Sequence, residues 1–436
     1  MNFNKLTTLG LLCILFVLSS CSFDEQTDPN GPSINSVLTN ASLAELNLLV
    51  SGIEAQMRNG FGTFVTSTGT IARELYKFDA DPRNTEDLLG KEDLIIDNNT
   101  FYLTAPFSTR YRVIKNCNIL LEALDNTNEV SETEKDGYRG FANTIKGLML
   151  SQVLGMLGDN GIRIDVADPE NLGPYVSQSE GYTQILSIMN LGNEQLNRST
   201  FSFALSSGFS GFDTPETFGQ FNRALTARIA TQGELYEVVL DILNTSFFDL
   251  NGDITVGPTH VFSTQAGDLL NPLFKTPGQS GDQIIVHSRM VDDAETGDAR
   301  LSKFALRPNP TSQDGLNSDY ETALYATSTS PISIIRNEEL ILIYVEASIQ
   351  GGRTQDAVDG INTIRMAHGL PAYSGGTSME DLIDEMLFQR RYSLWGEGHH
   401  MLDMRRYGRL NDTFLPIDRP GDDVFTQFPI PLSEGV

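Results

Sequence analysis

The chain has 436 residues, of which 40% are hydrophobic and 20% charged, a composition typical of a globular protein and not of a disordered one. Its 57 acidic residues outnumber 30 basic ones, which gives a formal net charge of −27. Because phosphate binding needs a basic surface, this charge argues against nucleic acid as a partner. Three cysteines are too few for a disulfide scaffold, and five histidines offer little for a His-rich metal site.

The first twenty residues have the features of an export signal. Lys5 supplies positive charge, and the apolar stretch from Leu9 to Leu18 is too short to span a bilayer. The segment Leu18-Ser19-Ser20-Cys21 resembles a bacterial lipobox, in which the thiol of the final cysteine is acylated. We therefore expect residues 1–20 to be a lipoprotein signal peptide and Cys21 to carry the lipid. An ordinary cleaved signal peptide and a buried first helix are the alternatives.

Residues 21–40 are predicted to be a lipid anchor followed by a flexible tether. The segment 22–36 is polar, contains Pro and Gly, and has no periodicity. Within it, Asp24-Glu25 resembles the acidic export signal of Bacteroidetes surface lipoproteins. The expected location is therefore the outer membrane, with the protein lipid-anchored and facing the cell exterior.

Much of the remaining chain has the periodicity of amphipathic helices. Ser42 with Glu45 and Ser131 with Glu134 have the spacing of capping boxes. Cys117 falls on an apolar face and is predicted to be a core thiol. Further helices are predicted over 108–125, 179–196, 215–244, 336–350, 354–368, 378–397 and 399–408. Consecutive helices of this length predict antiparallel pairs, hence a mainly α fold on a tetratricopeptide-like scaffold.

Two long stretches interrupt this helical pattern. Residues 77–107 are predicted to be a loop, and residues 246–334 are rich in Gly, Pro, Ser, Asp and Thr with only short strand candidates such as 284–287. The predicted organisation is an N-terminal helical region, 41–245, and a C-terminal region, 246–436, that contains the second insertion. Loops this long are usually functional, so the insertions are the predicted binding face.

The motifs of the common catalytic classes are absent. The sequence has no GxSxG, no HExxH, no GxGxxG opening a helix and no P-loop. His399 and His400 point about 100° apart on a helix and cannot easily share a metal, so a structural role is expected. No catalytic residue, metal or cofactor is predicted.

Aromatic and polar residues in or beside the insertions are the candidate ligand contacts. A sugar ring packs its C–H face on an aromatic plane, and its hydroxyls need polar partners. Trp395 is the single tryptophan and is predicted to lie in the core. The candidate ligand-binding residues are Tyr76, Asp79, Arg83, Phe101, Tyr102 and Tyr320.

The C-terminal segment QRRYSLWGEGHHMLDMRRYGR, residues 389–409, resembles the signature of the RagB/SusD family of Bacteroidetes outer-membrane lipoproteins. Segments 297–306, 336–352 and 428–436 are similar to other motifs of that family. Gln389 and His400 depart from it, since an acid and an arginine are common there. From the residues alone, the paired arginines near Glu397 and Asp403 are expected to form ion pairs that join two helices.

The resemblance implies a non-enzymatic surface lipoprotein on a SusD-like helical scaffold. It also implies capture of an oligosaccharide and its delivery to a SusC-like TonB-dependent transporter. A peptide-binding member of the same family remains an alternative. A surface hydrolase on a helical scaffold and a scaffold that binds only proteins are the rivals from other classes.

Overall fold

The computed structural model describes residues 34–435. The predicted signal peptide, Cys21 and most of the predicted tether lie outside the described residues. The last seven residues of the predicted tether, Ile34–Asn40, form helix α1 instead. The N-terminal region continues with α2 (Leu43–Gln56), α3 (Phe61–Ile71), α4 (Phe101–Asn126), α5 (Glu132–Leu157), α6 (Gln178–Leu196), α7 (Pro215–Gln232) and α8 (Tyr236–Leu243).

Helices α4 to α8 pack successively against one another, so the prediction of a mainly helical fold with paired helices is confirmed. Both predicted capping boxes are present, at Ser42 with Glu45 and at Ser131 with Glu134. Cys117 is a fully buried free thiol in α4, and burial raises its pKa to about 12. It is therefore a core residue, as predicted.

Two helix boundaries differ from the prediction. The stretch 215–244 is two helices, because α7 ends at Gln232 and Glu234 has a left-handed backbone with φ 58°. Helix α4 begins at Phe101 and not near 108, although Pro106 lies inside it. A proline there removes a backbone hydrogen bond, but Leu103 and Phe107 on the same turns are buried in the core. This packing outweighs the local cost.

The insertions contain more β-structure than predicted. Strands β1 (Leu75–Phe78), β5 (Gln283–Val286), β6 (Phe304–Gln313) and β7 (Leu316–Thr322) form an antiparallel sheet of order β1-β5-β7-β6. The short pairs β2 (Ile162–Arg163) with β3 (Tyr175–Val176) and β4 (Thr259–His260) with β8 (Ile332–Ser333) lie outside it. Pro308 and Pro310 obscure β6 in the sequence. They are tolerated because β6 is an edge strand, where an N–H is not needed on both sides.

The C-terminal helices form the second part of the scaffold. After the single turn α9 (Arg289–Asp292) and the hairpin come α10 (Asn337–Gln350), α11 (Thr354–Ala367), α12 (Met379–Ser393) and α13 (His400–Arg406). Helix α10 packs against α7, α8, α11 and α12, which joins the two halves of the chain. Trp395 lies between α12 and α13 and is 1% exposed, as predicted for a core residue. No helix within residues 34–435 is both long and apolar enough to cross a membrane.

The C-terminal signature contains buried ion pairs, of which those of Arg390 and Arg406 with Asp403 are as predicted, whereas Glu397 pairs with Arg336 outside the signature. Arg390 donates two hydrogen bonds to Asp403, at 2.7 and 3.0 Å, which joins α12 to α13. Arg406 donates to Glu346 at 2.7 and 2.9 Å and to Asp403 at 2.9 Å. Glu397 pairs with Arg336 at 2.5 Å. These side chains are at most 12% exposed, so both charges of each pair are largely removed from water.

We expect the fold to lose stability in acid through these carboxylates. Burial opposes ionisation of Glu339, but its ion pair with Arg228 outweighs this and lowers its pKa to about 2 from 4.5. A lowered folded-state pKa stabilises the fold above pH 4.5, and the stabilisation is lost as the pH falls toward 2. The free energy of unfolding, measured with denaturant, should fall across that window.

Glu339→Gln should make that pH dependence shallower. It should also lower stability at pH 7 by about 3–5 kcal/mol, since it leaves the buried Arg228 unpaired. The exposed Glu216→Gln is the matched control and should change neither quantity. An equally steep acid loss in Glu339→Gln would contradict this assignment.

Candidate functional site

The two insertions meet, which brings the predicted binding segments together. Strand β1 at the start of the first insertion pairs with β5 in the second, with Leu75 opposite Val286 and Phe78 opposite Gln283. Beyond the strands, Gln313 Nε2 donates to the carbonyl oxygen of Asp79 at 3.1 Å. Lys91 and Asp314 form an ion pair at 2.7 Å. The first insertion is therefore fixed to the tip of the β6–β7 hairpin.

Three residues of the first insertion form a small solvent-facing surface, which we name the Arg83–Phe101 platform: Asp81, Arg83 and Phe101. The Arg83 guanidinium lies 5.3 Å from the centre of the Phe101 ring. Its Nε and Nη2 donate to the two carboxylate oxygens of Asp81 at 2.9 and 2.6 Å. The Arg83 side chain is still 49% exposed. The guanidinium is thus held in place while its outer surface is open to solvent.

Local sequence explains this geometry. Asp81 caps the 3₁₀ turn Pro82–Asn84 by accepting from the Arg83 N–H at 3.1 Å. Hydrogen bonding to Arg83 lowers the pKa of Asp81, so its carboxylate stays charged. Asp79 supports the turn from behind, because it accepts from the Asn84 amide at 3.0 Å and from the Asp81 N–H at 2.9 Å. Asp79, a predicted ligand contact, therefore holds the loop that carries the platform.

Two predicted ligand contacts have their rings in the interior. Tyr102 is 0% exposed, donates to Asp87 at 2.8 Å and accepts from the Asp97 N–H at 2.6 Å. Tyr76 is 2% exposed, donates to Asp418 and stacks on Phe78 with ring centres 6.1 Å apart. The expectation that these rings offer a stacking face is therefore corrected. Tyr102 instead holds the first insertion together through Asp87 and Asp97, and Tyr76 joins β1 to the C-terminal segment through Asp418.

Tyr320 is on β7, directly opposite Leu306 in the hairpin. Its ring is partly buried and packs against the main core, whereas Leu306 is 68% exposed. Of the six predicted contacts, the structure brings Arg83 and Phe101 together and places Asp79 beneath them. Arg83 is exposed, whereas the Phe101 ring, like that of Tyr320, is partly buried and packs against the main core. Tyr320 lies on a different element, in the second insertion.

Sequence reasoning missed Asp81, the residue that holds Arg83 in place. The signal was readable, because Asp followed by Pro is a frequent start of a turn, and Asp81-Pro82-Arg83-Asn84 contains it. Within residues 34–435, no three His, Cys, Asp or Glu side chains are grouped as metal ligands would be. The buried His400, whose pKa is lowered to about 3 by burial, is neutral and part of the core wall. The chemistry offered by the platform is recognition through stacking and hydrogen bonds.

Comparison with known proteins identifies the C-terminal region directly. Residues 290–431 match the sequence profile of the SusD family. The chain is also similar to SusD-like protein P38 of Formosa agariphila, with 28% identity over 136 residues. This match spans 29% of the present chain and 27% of the length of that relative.

Solved structures extend the similarity to the whole fold. Surface glycan-binding protein A from Bacteroides thetaiotaomicron in complex with laminarihexaose superposes with a TM-score of 0.71 at 13% identity, covering 90% of this chain and 97% of that one. A SusD superfamily protein from Bacteroides vulgatus gives 0.70 at 16%, covering 90% and 96%. The tetratricopeptide-like scaffold is thereby confirmed. The predicted resemblance to the RagB/SusD family is thereby confirmed by the matching segment 290–431 and by the shared fold.

Proposed function

We propose that this protein is a cell-surface nutrient-binding lipoprotein that captures oligosaccharide and delivers it to a SusC-like TonB-dependent outer-membrane transporter. The match of residues 290–431 to the SusD family supports the proposal, as does a fold shared with a glycan-binding protein that was solved with laminarihexaose. The transporter and the lipid anchor follow from the resemblance and from the lipobox at Cys21. We propose no catalytic step.

The observation that carries the ligand part is the Arg83–Phe101 platform. A guanidinium stacked on an aromatic ring is flat and apolar on its faces, with donors along its edge. The C–H face of a sugar can pack on such a plane while its hydroxyls bond to Arg83 and Asp81. Because Asp81 already holds Arg83, little side-chain entropy is lost on binding.

Peptide capture by the same surface is the alternative within the family. A peptide would use the exposed apolar side chains Leu94 and Ile95, which are 44% and 73% exposed in the same insertion. A surface hydrolase would need two facing carboxylates or an activated nucleophile. The platform has one carboxylate, and that group is paired with Arg83. This favours binding over hydrolysis at this surface.

We expect Phe101→Ala and Arg83→Ala to weaken binding of a neutral glucan. Loss of one stacking contact is worth about 1–3 kcal/mol, or roughly 5- to 150-fold in affinity. Calorimetry with laminarihexaose and a panel of neutral oligosaccharides would measure this, together with thermal melts. Arg353→Ala is the matched control, because Arg353 is 51% exposed and pairs with Asp356 on α11. Unchanged affinity in both platform variants, with a glycan that binds the parent protein, would contradict the site.

Tyr102→Phe should affect stability and not affinity. The phenol is the hydrogen-bond donor to the buried Asp87, and burial together with this bond raises the pKa of Tyr102. Removing the hydroxyl leaves a buried carboxylate with one partner fewer, at a cost of about 1–3 kcal/mol. Denaturant unfolding should register this loss while glycan affinity stays within twofold. A weaker glycan affinity with unchanged stability would instead indicate that Tyr102 contacts the ligand.

Cys21→Ala should abolish acylation. Acyl labelling of the full chain in its native host, followed by membrane fractionation, would measure this. The variant should lose the label, and the protein should be released from the membrane or accumulate unprocessed. Cys117→Ala is the matched control. Cys117 is buried in α4, so this variant should still carry the acyl label on Cys21. Membrane retention and labelling of the Cys21→Ala chain would refute the anchor.

A further inference from the structure

A second recess, which we name the arginine cleft, lies among the end of α3, helices α12 and α13, and residues 409–416. Its volume is about 180 Å³. Four of its lining residues are Arg73, Arg289, Arg391 and Arg409. This concentration of positive charge is unexpected in a chain with a formal net charge of −27.

Arg73 is the deepest of the four. It is 2% exposed, and it donates to the carbonyl oxygens of Ile71, at 2.9 Å, and Asp423. Its Nε has no hydrogen-bond partner. This Nε is also closed to solvent, so Arg73 contributes positive charge below the cleft and not a donor that a ligand can reach. Burial lowers the pKa of Arg73, and the nearby acids Asp418, Asp422 and Asp423 oppose that shift.

The backbone at Arg73 is also unusual. It has φ 53°, and its N–H and that of Glu74 bond to Thr70 and Gly69, at 3.0 and 3.1 Å, as in a Schellman motif at the end of α3. Glycine is the usual residue at this position, because a side chain there costs roughly 1 kcal/mol. Arg73 occupies this position in spite of that cost, and it is among the residues that line the cleft.

The other arginines are only partly compensated. Asp293 accepts from both Arg289 and Arg391, at 3.2 and 3.1 Å, so one carboxylate serves two guanidinium groups. Arg409 pairs with Asp384 at 2.5 Å, and the Asp384 side chain is 58% exposed. Exposed pairs of this kind are weak and exchange readily with other partners.

One wall of the cleft is apolar. Phe414 is 45% exposed, and the Arg409 guanidinium lies 5.2 Å from its ring centre. Leu387 and Met404 continue this wall and are 7% and 8% exposed. The cleft therefore combines a cationic floor with an aromatic face.

We propose that the arginine cleft binds one acidic sugar unit, such as a uronate. The carboxylate is received by Arg391 and Arg409, above the positive charge of Arg73, and the sugar ring lies against Phe414. Displacement of Asp384 frees Arg409 for a charge-assisted bond to that carboxylate. The sugar part of this inference rests on the proposed function, whereas the anion part rests on the cleft alone.

Calorimetry of the purified protein with sodium glucuronate tests the proposal, with glucose and acetate as separate titrants. Glucuronate should bind more tightly than both. Arg409→Gln should weaken glucuronate binding about tenfold or more, as expected for loss of a charge-assisted hydrogen bond. Asp384→Asn should strengthen it several-fold, because it removes the competing carboxylate. Arg353→Gln, outside the cleft, should change nothing.

Several results would overturn the proposal. Equal binding of glucose and glucuronate would remove the anion part, and equal binding of acetate and glucuronate would remove the sugar part. Unchanged affinity in Arg409→Gln or no gain in Asp384→Asn would exclude the cleft. Arg73→Gln tests the buried arginine at the floor of the cleft. If that variant does not fold, Arg409→Gln and Asp384→Asn still test the proposal. Neutral-glucan binding should be unaffected by Arg409→Gln, which separates this site from the Arg83–Phe101 platform.

Discussion

Buried carboxylates held by arginines from neighbouring helices are the constraint on which the rest of this structure depends. Asp403 is 3% exposed and accepts from Arg390 and Arg406, and Glu346 is fully buried and accepts from Arg406 as well. Burial opposes the charge of Asp403, yet the two arginines keep its pKa below the ordinary value. A buried ion that loses its partner costs about 3–5 kcal/mol. The helices α10, α12 and α13 therefore cannot slide past one another without a large loss of stability.

Buried polar contacts between distant segments also position the two insertions. Glu339 at the start of α10 is paired with Arg228 on α7, so the two halves of the scaffold share one buried pair. Trp395 Nε1 donates to the carbonyl oxygen of Glu74 at 3.0 Å, which fixes the residue just before β1 to the C-terminal signature. Strand β1 then pairs with β5 and brings the first insertion to the second. The C-terminal signature in this way determines where the two insertions lie.

The helices and their contacts could be predicted from sequence because they follow local rules. Capping boxes, apolar spacing and the Arg-Arg and Asp-x-x-Arg patterns gave the scaffold, the core position of Trp395 and the ion pair of Arg390 with Asp403. The sheet could not be predicted in the same way, because β5 pairs with a strand some 200 residues earlier and the prolines of β6 obscure its alternation. For the candidate contacts, composition did not indicate the direction of each ring, since Tyr102 faces inward and Phe101, its neighbour, is only partly buried. Arg405, expected to form an ion pair, donates to the carbonyl oxygens of Gly155 and Thr426 instead.

How completely an arginine is paired separates scaffold from recognition in this protein. Arg406 has two carboxylate partners and is 4% exposed, so a ligand would have to displace buried acids to reach it. Arg83 has one partner that fixes its plane while half of its surface stays open. Arg73 is buried, and its Nε is closed to solvent, so it contributes positive charge below the arginine cleft and not a bond to a ligand. The sequence alone does not distinguish the three, because each is an arginine near acids, and only the number and placement of acceptors determine which one can accept a ligand. By that criterion Arg390 and Arg406 of the signature are structural, whereas Arg391 and Arg409 of the same segment are only partly paired and line the cleft.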